Sequence, residues 1–132
     1  MSWTTPKTNW QSGDFFSYVD YNRITGNIEY LYTEIGETPT GTYTVMDITG
    51  YILAPDYNPV SVDVINLYNW LGLSDVYDPI EWKDIYSMPW TSKELNAIEG
   101  LLLACKTAID NGVEPINRIY CGDETYSNDI LI

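Results

Sequence analysis

Apolar residues recur at spacings of three and four in two separated windows of the chain, and the same polar residues introduce each window. In the first, Tyr21, Ile24, Ile28, Leu31 and Ile35 fall on one face of a helix. Ser17 and Asp20 are spaced as a capping box, the hydroxyl taking an orphan amide and the carboxylate reaching back to the cap's own amide. Phe16 and Tyr21 are spaced as a hydrophobic staple, which fixes how the chain enters the helix. In the second window Trp90, Thr91, Glu94, Leu95, Asn96, Ile98, Gly100, Leu102, Cys105 and Ile109 repeat Phe16, Ser17, Asp20, Tyr21, Asn22, Ile24, Gly26, Ile28, Leu31 and Ile35 in one register, 74 residues on. The pattern predicts two duplicated helices, the second running from Ser92 to about Asn111, where Asn111-Gly112 stops it. Chance similarity between capped amphipathic helices is the alternative.

A third, shorter copy is read from Val60: Ser61 as cap, Ile65 completing the staple, Asn66 in the asparagine slot and Tyr68 on the seam. It lacks the acid of the box, and Pro55 and Pro59 deliver the chain to it. The fold class expected is mainly α: a compact three-helix domain over 16–115, an extended aromatic arm over 1–15 and a tail over 116–132. The tail is expected to pack on the arm or on a partner. Thr42 to Leu53 is rich in β-branched and aromatic residues and reads as a short hairpin or a helical turn. Gly36 is placed for a left-handed cap, and the aromatics of the loop from Gly72 to Pro89, Trp82 among them, are expected over an opening of the core.

Within this frame three sets of residues call for an account. Gly26 and Gly100 sit mid-helix, where glycine costs about 1 kcal/mol relative to alanine, so they predict close approach of the two long helices. Asn22, Asn66 and Asn96 lie beside buried seams and are expected to bond a neighbouring cap or loop carbonyl. Trp3 and Trp10, in an arm that Pro6 keeps from being helical, carry too much apolar area to stay wet; they either fold back over the helices or dock on another chain.

Composition narrows the chemistry. The chain is long enough for one domain with a modest core. With 19 acids against 6 bases its net charge is −13, which argues against direct contact with nucleic acid or an anionic membrane. There is no histidine, so the commonest general base and metal ligand are both missing. Cys105 lies on the core seam and reads as a buried apolar residue, with a bridge to Cys121 left open. Asp123, Glu124, Asn128 and Asp129 offer oxygen ligands but miss the spacing of a calcium loop, and solvated loop acids are the ordinary explanation. No catalytic, cofactor-binding or metal-binding residue is assigned. No secretory n-region precedes an apolar stretch and no apolar run could span a bilayer, so a chain starting at or near Met1 and made in the cytoplasm is expected.

The arm and first helix also carry a resemblance. Trp3, Pro6, Lys7, Thr8, Asn9 and Trp10, followed by Asp14 and Phe15, by Asp20-Tyr21-Asn22-Arg23-Ile24 and by Asn27, Ile28 and Leu31, resemble the opening of small proteins encoded in the tail, baseplate and fibre gene modules of phages and prophages of Gram-positive bacteria. The likeness covers roughly the first quarter of the chain. In the later echo Ala97 stands where the family has an arginine, so a contact made by that arginine is in doubt there. The resemblance implies a non-enzymatic virion protein, assembled in the host cytoplasm, that acts as an oligomer or assembly subunit with other tail, baseplate or fibre proteins. Structural or interface candidates are Trp3, Trp10, Phe16, Tyr21, Asn22, Arg23, Gly26, Trp90, Asn96 and Gly100. A module binding host-surface carbohydrate through its tryptophans and tyrosines is the second expectation. An acidic mimic of DNA is the third, and the scatter of acids through helix starts and loops disfavours it.

Overall fold

The computed structural model describes residues 3–49, 52–74, 77–84 and 89–115. The expected C-terminal tail, Cys121 with any bridge to Cys105, and the loop acids Asp123, Glu124, Asn128 and Asp129 lie outside the described residues. Among those described there are three helices and no strand: α1 (Tyr18–Glu34), α2 (Ala54–Trp70) and α3 (Ser92–Asp110). The mainly α expectation is met. No strand pairing for the hairpin read over 42–53 is present among the described residues: 42–47 carry no regular structure and the chain turns at 48–49, while 50–51 lie outside the described residues.

The three helices start side by side. The Tyr21 hydroxyl near the start of α1 donates to the Asp56 carbonyl near the start of α2, at 3.2 Å. The Trp90 ring just before α3 meets Phe16 at 5.7 Å and Tyr57 at 4.5 Å between centroids. The helices therefore run in the same direction, and each connection has to return along a helix of 17 residues, roughly 25 Å at the helical rise. Hence the connections are long and extended. We call them arm 1 (3–17), arm 2 (38–53) and arm 3 (73–91, in its described parts).

Heptad-like spacing sets the core. Ile24, Ile28 and Leu31 of α1, Val60, Val64 and Leu67 of α2, and Ile98, Leu102 and Cys105 of α3 are all fully buried. In each helix these residues stand seven, eleven and fourteen positions after the cap, so the bundle is filled by one residue from each helix at each depth. Burial pushes the Cys105 thiol up to about 12, so it is a packing residue rather than a nucleophile.

The helix starts follow the sequence in two cases of three. Thr91 and Glu94 form the complete box, with Glu94 N donating to Thr91 Oγ1 and Thr91 N to Glu94 Oε1. At α1 the Asp20 carboxylate accepts from both the amide and the hydroxyl of Ser17. The middle helix corrects the expectation, for it begins at Ala54 rather than after Ser61, with Leu53 as its cap. Leucine offers no acceptor, and only the acid half of the box is made, Leu53 N donating to Asp56 Oδ2 at 2.8 Å. Pro55 sits in the first turn, where amides have no helical partner, and Pro59 lies inside the helix at the cost of one bond. Ser61 is a buried interior residue of α2, and neither Ile65 nor Asn66 has the staple or asparagine role read for it.

Gly26 and Gly100 do not mark a close helix contact: a Cβ at either position would meet nothing within 4 Å. Both are half-buried, with room beside them, and Gly100 lines a cavity with Tyr77 and Asp78. Gly26→Ala and Gly100→Ala should therefore each raise stability by about 0.5–1 kcal/mol, measured by urea unfolding, and a loss at either would mean a neighbour closer than the structure places it. The glycine that does permit close approach is Gly41 in arm 2, where a Cβ would lie 2.8 Å from Pro59 Cβ and from the Tyr43 ring.

Candidate functional site

Arms that form neither helix nor strand leave backbone amides and carbonyls without regular partners, so these need side-chain partners from the helices. Asparagine supplies both partners at once. Asn22 Nδ2 donates to the Met46 carbonyl at 2.8 Å while its Oδ1 accepts from Met46 N at 2.9 Å. Asn96 makes the same pair with the carbonyl and amide of Trp10, at 3.0 and 2.8 Å. The structural role expected of these two asparagines is what they have. The third clamp belongs to Asn58, which holds Lys83 at 2.7 and 2.8 Å. Asn27 adds another between α1 and arm 1, pairing with both backbone groups of Thr4.

The arms are pinned further by buried carboxylates. Glu99 of α3 is fully buried and accepts four hydrogen bonds: from Lys7 N and Arg23 Nε on Oε1, and from Trp10 Nε1 and Arg23 Nη2 on Oε2, all between 2.7 and 3.0 Å. Arg23 reaches back with Nη1 to Asp20, so the acid that caps α1 also orients the arginine. Hydrogen bonding to Glu99 raises the Arg23 pKa further against the opposing effect of burial. Ala97 is buried in α3, and Arg23 of α1 spans to Glu99 of α3. Asp63 of α2, also fully buried, accepts from Thr40 N and Oγ1, Gly41 N and the Tyr43 hydroxyl, which fastens the beginning of arm 2.

Lys83 of arm 3 forms a buried ion pair with Glu94, at 2.8 and 3.0 Å. Burial works against the Glu94 charge, but the Lys83 ammonium and the amides of Thr91 and Glu81 outweigh it, and the carboxyl titrates below the ordinary glutamate range. Such a group adds stability that is complete above the unfolded-state pKa, about 4.5, and is lost as the pH falls through the lower folded value. Urea midpoints should thus decline below about pH 4.5, and Glu94→Gln should lower the midpoint at pH 7 and flatten that decline. An unchanged acid slope in the variant would remove Glu94 from the account.

The aromatic residues singled out in the sequence serve the chain itself. Trp10, Phe16 and Trp90 form a continuous aromatic series, tilted at the first contact and edge-on at the second, with centroids 5.9 and 5.7 Å apart, and Tyr21 is buried in the same core. Trp3 packs on Tyr30 at 6.0 Å with the Lys106 ammonium 5.7 Å from its ring. Arm 1 has folded back over the helices. What remains outside are other apolar residues: Phe15, Val45 and Ile48 are each more than 80% exposed, and Trp82 is 69% exposed. Trp82 walls a groove of about 650 Å³ with Ala54, Pro55, Pro59, Val62 and Thr40. Sequence reasoning had Trp82 over an opening but not the groove, which depends on Pro55 and Pro59 lying on a helix. Among the described residues no group of acids and cysteines is arranged to hold a metal, and no helix is long and apolar enough to cross a membrane. No protein-family model, curated protein or solved structure matches the chain.

Proposed function

We propose that the chain is a non-enzymatic structural component of a phage particle, an attachment module of the tail, baseplate or fibre that presents a rigid apolar surface to a protein partner. One observation carries the reading: Val45, Ile48 and Trp82 stand exposed on arms whose backbones Asn22 and Asn58 pin immediately beside them. Exposed apolar side chains on an already ordered segment can be buried by a partner with little loss of conformational entropy. The commitment of Asp63, Glu94 and Glu99 to arm and cap bonds supports the non-enzymatic part, since an acid that positions backbone is not free to move a proton. Carbohydrate recognition gains less support, because the groove is walled mainly by Ala54, Pro55, Pro59, Val62 and Trp82, and both ends of the Asn58 amide there are spent on Lys83.

The test places a photo-crosslinking amino acid at Trp82 in a tagged chain expressed during particle production. A crosslink to a tail, baseplate or fibre protein is expected, and Trp82→Ala with Val45→Asp should cut incorporation about tenfold without loss of helical signal. Absence of the chain from purified particles would sink the proposal. Trp82-dependent binding on a glycan array would move the reading to the receptor-binding alternative.

A further inference from the structure

The three helices carry the same fixtures at the same distances. Caps stand at Ser17, Leu53 and Thr91, acids three residues later at Asp20, Asp56 and Glu94, and asparagines two beyond those at Asn22, Asn58 and Asn96. Each helix ends on a glycine with positive φ: Gly36 at 74°, Gly72 at 69° and Gly112 at 89°. In each, the residue after the glycine donates its amide to the carbonyl five residues back, Glu37 to Tyr32, Leu73 to Tyr68 and Val113 to Ala108. These are three copies of one helix ending.

The asparagine clamps give the relation between the copies. Asn22 of α1 holds Met46, on the arm that leads into α2; Asn58 of α2 holds Lys83, on the arm that leads into α3; and Asn96 of α3 holds Trp10, on the arm that leads into α1. The held residue lies seven, eight and seven positions before the cap it precedes. The relation is cyclic, and the last clamp closes it. Capping preferences alone give similar helix starts but no reason for three side chains to grip three arms in rotation.

We infer that the chain is three linked copies of one arm–helix unit, and that each unit carries a recognition site for the arm of another such unit. The site is the amide five residues after the cap, together with the buried stripe beside it. It reads main-chain N–H and C=O, so the residue it holds is free to vary, and Trp10, Met46 and Lys83 share no chemistry. The junction between α3 and arm 1 joins residues far apart in the sequence, Asn96 and Trp10 being 86 positions apart against 24 for Asn22 and Met46 and 25 for Asn58 and Lys83. There the ion pair of Arg23 with Glu99 and the bonds from Lys7 and Trp10 are added, whereas α1 and α2 carry Thr25 and Ser61 at the Glu99 position. This inference stands on the clamps and is independent of the function proposed above.

Circular permutation of the full chain tests it. A flexible glycine–serine linker joins Ile132 to Met1, and new termini open between Gly36 and Thr38 in one permutant and between Gly72 and Tyr77 in another. Both should keep the helical spectrum and melt within about 10 °C of the parent. Failure of both to fold would overturn equivalence of the junctions. Independently of permutation, Asn22→Leu, Asn58→Leu and Asn96→Leu in the parent chain should each lower the folding equilibrium constant about tenfold or more, and the amide protons of Met46, Lys83 and Trp10 should be protected from exchange to similar degrees. A clamp that proves neutral, with its arm amide unprotected, would break the cycle and the inference with it.

Discussion

Arg23→Met should be the most damaging single substitution at a charged residue, costing about 3–5 kcal/mol, because it leaves the fully buried Glu99 carboxylate without its counter-ion. The loss should appear in urea midpoints at pH 7. Adding Glu99→Gln to Arg23→Met should recover part of the loss: the amide oxygen can still accept from Lys7 N or Trp10 Nε1, and no buried charge remains. The two substitutions are thus expected to be strongly non-additive. Simple additivity would mean that Arg23 and Glu99 act separately, contrary to the paired bonds between them.

Asp63→Ala should follow at about 3 kcal/mol, by a different route. Asp63 gathers two backbone amides and two hydroxyls from Thr40, Gly41 and Tyr43, and alanine would leave these donors unpaired in a packed site. Thr40 and Gly41 amides should then exchange with solvent far faster than in the parent, while the clamped Met46 amide further along arm 2 should change less. Uniform acceleration along the arm would show that it detaches as one piece and that the Asn22 clamp does not hold by itself.

How much of this was legible in the sequence depended on whether the physics is local. The starts of α1 and α3 were readable because cap, acid and staple lie within six residues of one another, and the fully buried Ile24 and Ile98 confirm the stripe assignment. The start of α2 was misread because the rule for polar caps favours Ser61 over Leu53. The signals that mark the true start are Pro55 in the first turn, Asp56 after Leu53 and the placing of Asn58. The helical cost of Gly26 and Gly100 points to a packing role, but a half-buried helical glycine with open space beside it can simply be tolerated, and the space around both says that it is. For the site, the polarity of Asn22 and Asn96 beside a seam announced that each needed a partner, and nothing local could say which. Glu99 was invisible for the same reason, since its donors come from arm 1 and from α1, far away in sequence.

Parallel packing has an electrical consequence. Each helix contributes about half a positive charge at its start and half a negative charge at its end, and because all three point the same way these contributions add instead of cancelling. At the starting end Asp20, Asp56 and Glu94 offset them, whereas the last turns of the helices carry no basic residue to do so. The face where the three helices finish therefore favours a cationic group placed directly against its last turns.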